Sequence, residues 1–353
     1  MIGPMAEPFA ELHCHSNFSF LDGASAVDEL AEQAVALGYG ALALTDHQGL
    51  YGAVRFSSAA QEAGLRPIIG IEIELLDALV PDPTGVVMPH RRRRRRRLGE
   101  SAAGAAGVAW SSDVATAPRT AVAGVPRRPA YERPRPPGHR PPRREDLRGV
   151  RARELGPHLV LLARDMTGYR SLCRLASAAQ LAGTKGVPRY THALLARHTE
   201  GLVALSGCRH GEVARRLLAG DRAGALAAAR RLAELFAESS AAGVGGFFVE
   251  LQHHLLPDDD WLVTESVALA DELGLPTVVT NDAHYARPAD RELHDVLVGI
   301  RHGLTLDESA HLRRPNGEYH LKSAAELAAL PPGDGSLGAR VSWVRTSSCW
   351  RAT

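Results

Sequence analysis

The stretch Glu11-Leu12-His13-Cys14-His15, followed by Ser19-Phe20-Leu21-Asp22-Gly23, stands near the start of the 353-residue chain. Alternate residues of a β-strand project to the same face, so His13 and His15 can hold one metal ion together at a strand end. Cys14 must then point the other way, into the packing layer. A single His-x-His pair is weak evidence for a metal site, and its weight depends on the rest of the chain.

Outside one segment, β-branched or leucine-rich runs alternate with Ala/Leu/Glu-rich helical runs, which is typical of β-α units around a parallel sheet. Helices with one buried face are predicted at 27–37, 53–63, 212–218, 223–236 and 261–273. Strands are predicted at 9–15, 41–45, 67–75, 158–163, 202–206, 247–251 and 276–280. Seven such units favour an α/β barrel over a small open sheet. In such barrels the chemistry collects at the carboxyl ends of the strands.

The segment from 77 to 155 interrupts this alternation. It contains 11 of the 22 prolines and seven consecutive arginines, Arg91 to Arg97. Residues 81–153 carry 18 arginines and six carboxylates, a charge of +12 that leaves −11 for the other 280 residues. Because this composition buries too little apolar surface to offset the entropy of ordering, the segment is predicted to be a disordered insert. Binding of nucleic acid phosphates by the arginine run stays open as an alternative to a low-complexity insertion.

The insert divides one predicted barrel into a first part, residues 1–76, and a second part, residues 156–330. Residues 331–353 turn to a Pro/Gly/Ser-rich composition and are predicted to be an atypical, disordered tail. The four scattered cysteines do not form a disulfide framework. The chain shows no secretory signal pattern and no apolar run of the roughly 20 residues that cross a bilayer, so a cytoplasmic protein without a membrane partner is expected.

The other predicted strands also end near side chains that bind metals. These are Asp46 and His47 after the second strand, Glu72 in the third, His158 at the start of the fourth, Cys208 after the fifth, and Asp282 and His284 after the seventh. Each could be structural, as a helix cap or a buried thiol, but their coincidence at five strand ends favours a site. A mixed set of imidazole, carboxylate and thiolate ligands can hold two or three divalent ions, with zinc favoured and manganese or iron as alternatives. Clustered divalent ions suit phosphoester hydrolysis.

The runs ELHCHSNFSFLDGAS (11–25), ALALTDHQGLYGAVRF (41–56) and PIIGIEIEL (67–75) resemble the polymerase-and-histidinol-phosphatase (PHP) domain that opens the bacterial C-family DNA polymerases. The resemblance continues through GPHLVLLARDMTGYRSLCRLAS (156–177), LAGTKGVP (181–188), GLVALSGCRHGE (201–212) and LPTVVTNDAHYARPADRELHDVL (275–297). It covers residues 9–330 apart from the insert. The first run, the LAGTKG element and the long Arg/Pro insert are most similar to the error-prone, DNA-damage-associated branch of the DNA polymerase III alpha-like proteins.

The resemblance implies a distorted seven-stranded barrel and a multi-metal phosphoesterase or 3′–5′ exonuclease that acts on DNA in replication and repair. The family's ligands correspond here to His13, His15, Asp22, His47, Glu72, His158, Cys208, Asp282 and His284. Of these, Asp22, His47, His158 and Asp282 are expected to act catalytically, by holding the ions that activate water. Asp46 is expected to orient a ligand through a hydrogen bond. The candidates for contact with a substrate phosphate are Arg209 and His210, with Glu250 and His253 as lesser ones.

The polymerases of this family are much longer than this chain, and nothing past residue 330 resembles a palm, fingers or thumb domain. The resemblance therefore implies the PHP portion alone, without DNA synthesis. A frameshifted or truncated product is expected, and a genuine short protein stays open as an alternative. Its expected partners are DNA and, through the full-length polymerase, other replication or translesion proteins. Two alternatives stay open: a catalytically silent structural or interaction module of the polymerase, and a free-standing small-molecule phosphatase.

Overall fold

In a computed structural model, the described residues are 9–76, 156–184, 187–237 and 246–330. Within them, seven strands form one sheet in chain order. The strands are β1 (Ala10–Glu11), β2 (Ala41–Leu44), β3 (Arg66–Glu74), β4 (His158–Ala163), β5 (Leu202–Leu205), β6 (Phe247–Leu251) and β7 (Thr277–Val279). All seven predicted strands are present, although β1 is much shorter than expected. The predicted insert at 77–155, with its arginine run, and the predicted tail at 331–353 lie outside the described residues.

Nine α-helices accompany these strands in the described part of the chain. They are α1 (Val27–Ala36), α2 (Ala53–Glu62), α3 (Met166–Ala182), α4 (His192–Leu195), α5 (Glu212–Leu218), α6 (Arg222–Leu235), α7 (Asp259–Leu273), α8 (Arg291–His302) and α9 (Ala324–Ala328). The five predicted helices are α1, α2, α5, α6 and α7. Within the described ranges, no helix combines the length and the apolar character needed to span a membrane.

The sheet is not parallel throughout, and in this respect the prediction was wrong. Strand β4 runs antiparallel to both β3 and β5, whereas the other neighbouring pairs are parallel. Parallel neighbours need a long crossover that usually contains a helix, and no helical pattern precedes β4 in the sequence. Because β4 is reversed, its amino end lies at the edge where the other six strands have their carboxyl ends. His158 therefore opens its strand at that edge.

Side chains of the sheet alternate between an inner and an outer apolar layer. On β2, Ala41 and Ala43 belong to the inner layer, whereas Leu42 and Leu44 pack in the outer layer with residues of the helices. The inner layer consists of Ala10, Leu12, Ala41, Ala43, Ile68, Val160, Leu162, Val203, Leu205 and Val278, with Phe248 packed against it. This layer draws on all seven strands, which requires a sheet that curls on itself.

The two outermost strands meet just beyond their ends. Cys14 and Ala283 form a parallel bridge. The N–H of His15 donates to the carbonyl of Ala283 at 2.8 Å, and the N–H of Ala283 donates to the carbonyl of His13 at 3.0 Å. Cys14 is buried in the outer layer, as predicted, while Leu12 belongs to the inner one, so the alternation shifts between them. The fold is a distorted seven-stranded α/β barrel with its first and last strands joined at the edge that carries the histidines.

Candidate metal centre

Eight of the nine predicted ligands lie in three groups at this edge of the barrel. Within each group, one nitrogen, oxygen or sulfur atom per residue lies within 4.8 Å of the others. The first group is His13, His15, Glu72 and Asp282; the second is Glu72, His158 and Cys208; the third is Asp22, His284 and His294. Since Glu72 belongs to both the first and the second group, these two form a continuous cluster.

Glu72 lies at the centre of this cluster because β3 extends beyond the end of β2 and forms a bridge with His47. Its Oε2 lies 2.9 Å from Nε2 of His13. Its Oε1 lies 2.8 Å from Nδ1 of His47 and 2.9 Å from Nδ1 of His158. That oxygen is buried and lies between the two rings. One carboxylate therefore faces imidazoles from three different strand ends, as a bridging ligand does.

His47 is the ninth predicted ligand and lies outside the three groups. Its Nε2 is 2.7 Å from Oδ2 of Asp22, so it stands between the third group and Glu72. Burial opposes a charge on the imidazole, but the carboxylates of Glu72 and Asp22 raise the pKa of His47 to about 10. An imidazole that binds a metal must be unprotonated, so metal binding at His47 would release a proton.

The three acidic side chains of the three groups are held in the ionised form. Burial favours their neutral forms, but the neighbouring cations outweigh it. The pKa of Glu72 is held well below its usual range by His158 and His47, and that of Asp282 by His13. The pKa of Asp22 is lowered in the same way, by Arg301 and His47. Ionised carboxylates are the state that binds cations.

The chemistry of these side chains fits divalent metal ions. In the described part of the chain, Nε2 of His15, Nδ1 of His284 and both ring nitrogens of His294 are buried and make no hydrogen bond. Buried polar atoms in folded proteins normally have a partner, so atoms without one indicate a ligand. Imidazole, carboxylate and thiolate together are donors that transition metals prefer. Burial lowers the pKa of His15 and His284, which leaves their rings neutral and able to coordinate.

Asp46 is predicted to orient a ligand. It is linked to the predicted ligand His15 through the hydroxyl of Ser19. The hydroxyl of Ser19 donates to Oδ1 of Asp46 at 2.7 Å and lies 3.1 Å from Nδ1 of His15. The same carboxylate accepts the backbone N–H of Ser16 at 2.8 Å. Asp46 thus fixes the loop after β1 and, through Ser19, the ring of His15.

Glu250 and His253, the lesser candidates for phosphate contact, have different surroundings. Oε1 of Glu250 lies 2.7 Å from Nδ1 of His13, and both residues are buried. Glu250 therefore holds the ring of His13 so that Nε2 faces Glu72. The ring of His253 pairs with Asp260 at 2.7 Å, and His253 belongs to none of the three groups.

Arg209 and His210, the other phosphate candidates, follow the predicted ligand Cys208. The guanidinium of Arg209 donates to Asp258 at 2.7 Å and to Asp259 at 2.9 Å, so two carboxylates already offset its charge. The ring of His210 lies 5.4 Å from that of His158, measured between centroids. In this conformation the ring of His210 lies beside the second group, whereas the guanidinium of Arg209 is paired with Asp258 and Asp259.

Sequence reasoning missed three residues that the fold brings to the centre, namely His294, Arg301 and Arg314. His294 is 1% exposed, on the buried face of α8 together with Val298. His294 could have been predicted to be buried, because it lies four positions before an apolar valine in an amphipathic helical pattern. The two arginines contact Asp22, Asp282 and His284 only through the tertiary fold.

Backbone strain is concentrated beside the same side chains. Asp282 has a φ of 45°, while Leu21 and Gln48, which adjoin Asp22 and His47, have φ values of 62° and 61°. Residues other than glycine rarely adopt this left-handed region, and strained residues of this kind cluster at functional sites. The strain therefore coincides with three proposed ligands.

Comparison with known proteins gives the chain a family. The sequence matches the PHP domain over residues 11–254. An error-prone DNA polymerase from Nocardia farcinica is 41% identical over an alignment of 334 residues, with coverage of 92% of this chain and 26% of that protein. DNA polymerase III subunit alpha from Treponema pallidum is 32% identical over 324 residues, covering 92% of this chain and 22% of that protein. The chain thus spans about a quarter of the length of these curated relatives.

Among solved structures, an amidohydrolase from Chromobacterium violaceum is 15% identical, with a TM-score of 0.32 and coverage of 78% of this chain and 87% of that one. No conclusion follows from a likeness at that level. The match to the PHP domain covers more than half of the chain, from the last residue of β1 to just beyond the end of β6. The expectation drawn from the sequence motifs is confirmed: this chain belongs to the PHP domain family.

Proposed function

We propose that this chain is the metal-dependent phosphoesterase portion of an error-prone DNA polymerase III alpha-like protein, and that it removes nucleotides from the 3′ end of DNA. The observation that carries the proposal is the convergence of three ligand groups at one edge of the barrel, with Glu72 shared by two of them. Centres with several divalent ions suit phosphoester hydrolysis because they serve both the attacking and the leaving oxygen.

Within the proposal, His13, His15, Glu72 and Asp282 hold one ion, and Glu72, His158 and Cys208 hold a second. Asp22, His284 and His294 hold a third, with His47 placed between Asp22 and Glu72. Zinc is the metal we expect, because the second group includes a thiol and imidazole. Bound ions of this kind supply a hydroxide nucleophile near neutral pH and offset the charge on phosphate oxygens.

The chain's own contribution is to fix the positions of these ligands. Glu250 orients His13 through its Nδ1, and Ser19 orients His15 in the same way. Such hydrogen bonds determine which ring nitrogen faces the metal and keep the ring from rotating. Asp22, His47, His158 and Asp282 are proposed as catalytic because they would hold the ions that activate water.

The similarity to error-prone DNA polymerases supports DNA as the substrate, and with it a role in DNA replication and repair in the cytoplasm. Other replication or translesion proteins would reach this domain through the rest of a longer protein. The proposal assigns no DNA synthesis to the described residues.

The test combines metal analysis with a nuclease assay on the full 353-residue chain. We expect two or three ions per chain and release of nucleotides from a 3′-labelled oligonucleotide. His13→Ala should lower both readouts. His198→Ala is the matched control, because His198 precedes β5 and therefore lies at the edge of the barrel opposite the ligands.

Each other outcome identifies an alternative. Less than one ion per chain, with activity unaffected by His13→Ala, contradicts the proposal. Thermal stabilisation by metal without hydrolysis of any substrate favours a structural or interaction module. Hydrolysis of small phosphomonoesters but not of DNA favours a free-standing phosphatase.

A further inference from the structure

Two arginines reach the metal centre from the segment that follows β7. In the last turn of α8, Nη1 of Arg301 lies 3.3 Å from Oδ2 of Asp22. Nη1 of Arg314 lies 3.8 Å from Oδ2 of Asp282, and its Nη2 contacts Nε2 of His284. Both guanidinium groups therefore lie against side chains that are proposed metal ligands.

Arg314 is held in place by aromatic packing. Its guanidinium carbon lies 4.1 Å from the centroid of the Tyr319 ring, and Tyr319 stacks on His254 with 4.0 Å between centroids. The carbonyl oxygen of Tyr319 accepts the backbone N–H of His284 at 2.8 Å. A cation over an aromatic face is attracted by the ring. The contacts that position His284 therefore also position the guanidinium beside it.

The carboxylates that contact these two arginines distinguish them from their neighbour Arg313. Arg313 pairs with Asp295 at 3.1 Å, a carboxylate outside the three ligand groups. In the described residues, the carboxylates within 4 Å of Arg301 and Arg314 both belong to proposed ligands. In addition, Nε of Arg314 is buried and makes no hydrogen bond there. Among the described residues, these arginines therefore have no other carboxylate within 4 Å to pair with once the ligands bind metal.

A guanidinium keeps its charge and cannot coordinate a cation. A divalent ion at Asp22 or Asp282 therefore competes with the arginine for the same oxygens and is repelled by it. An anion placed between the ion and the arginine removes this conflict. Phosphate matches the two-pronged donor geometry of arginine, as carboxylate does, and it is the group that a phosphoesterase must hold.

We propose that Arg301 and Arg314 bind the phosphate group of the substrate once metal ions have taken over the carboxylates of Asp22 and Asp282. This assignment rests on the proposed function and deepens it, because it names the residues that hold the phosphate at the same site. In the metal-free protein, the arginines offset the negative charge of these carboxylates in place of the metal ions. Metal and phosphate must then bind cooperatively, since each relieves the repulsion that opposes the other.

The test is a calorimetric titration of inorganic phosphate into the zinc-loaded full chain, with the metal content of each sample measured in parallel. Arg301→Gln and Arg314→Gln should each weaken phosphate binding by about tenfold or more, the usual effect of losing a charge-assisted hydrogen bond. Their metal content should equal that of the wild type. Without phosphate, their zinc affinity should be unchanged or higher, because a competing cation is gone. Arg313→Gln should behave as the wild type.

Several outcomes would overturn the assignment, and they differ from a failure of the proposed function. Full metal content with unchanged phosphate affinity in both variants shows that the arginines do not hold phosphate. Parallel loss of metal and phosphate shows that they only support the fold of the site. Arg301→Lys and Arg314→Lys keep the positive charge but lack the two-pronged guanidinium, and they serve as variants less prone to misfolding. Phosphate affinity equal to that of the wild type in both lysine variants would also contradict the assignment. If the wild type takes up no metal, the proposed function fails and the assignment fails with it.

Discussion

Nδ1 of His13 lies 2.7 Å from Oε1 of Glu250, although 237 positions separate the two residues in the sequence. Both side chains are fully buried. The contact joins the loop after β1 to the end of β6 across the inside of the barrel. It leaves Nε2 of His13 facing Glu72 at 2.9 Å, so the ring is oriented for coordination before any ion binds.

Loss of this contact should weaken metal binding at the first group. In Glu250→Gln the side chain keeps its size but loses the charge that favours His13 in this orientation. We expect zinc affinity to fall by about 10- to 100-fold, as for other carboxylates that support a ligating histidine. A competition titration with a chromophoric chelator measures it. Glu234→Gln, at an exposed position on α6, is the control, and equal affinities in the two variants would contradict the role of Glu250.

Removal of the shared carboxylate should affect two groups at once. Because Glu72 belongs to the first and second groups, Glu72→Gln should lower the metal content by about two ions per chain when all three sites are filled. Cys208→Ala removes a ligand of the second group alone and should lower it by about one. Elemental analysis after dialysis gives both numbers. Equal losses in the two variants would show that Glu72 does not bridge two ions.

A methyl group at Gly23 should displace the loop that carries Asp22. A Cβ added to Gly23 would lie 1.9 Å from the carbonyl oxygen of Ser16, a contact that only a backbone shift can relieve. Gly23→Ala should therefore lose the ion of the third group and unfold at lower urea concentration. At Gly38, which has a φ of +77° and nothing within 4 Å of an added Cβ, alanine should cost only about 1–2 kcal/mol of backbone strain. If the Gly23 variant is no less stable than the Gly38 variant, the tight contact is not important.

The buried ring of His254 should make the metal-free protein less stable in mild acid. Burial lowers the pKa of His254 to about 3, from an ordinary value of 6.5. Between these values the unfolded chain binds a proton that the folded chain does not, so the free energy of unfolding falls as the pH drops below about 6.5. His254 packs against Tyr319 and donates from Nε2 to the carbonyl of Asn281 at 2.8 Å.

The measurement is urea unfolding at pH 7.0 and 5.5, with a chelator present so that metal binding does not contribute. The wild type should lose about 1 kcal/mol more than His254→Gln over this interval, because one further proton is taken up on unfolding. His311→Gln is the control, since His311 is exposed. Identical pH dependence in the wild type and the His254 variant would show that burial of His254 does not contribute.

Much of the barrel could be predicted from local patterns. The apolar runs of β2 to β7 and five amphipathic helices are visible in the sequence because period-two and period-3.6 spacing are local properties. The direction of β4 was not visible, since residues 77–155 show no pattern that reveals how the chain returns to the sheet. The length of β1 was overestimated because the pattern of apolar residues and candidate ligands continues to His15, whereas β1 contains only Ala10 and Glu11.

By itself, the sequence determined which residue types stand at the strand ends, and the family to which the chain belongs, because motifs such as His13-Cys14-His15 are contiguous. Only the tertiary structure decided how these residues are grouped. It placed Glu72 between His13 and His158, set Glu250 behind His13, and brought His294, Arg301 and Arg314 to the same edge. The reason is geometric: distances between side chains on different strands follow from the curl of the sheet, the reversal of β4 and the shift of alternation after Leu12, none of which local spacing specifies.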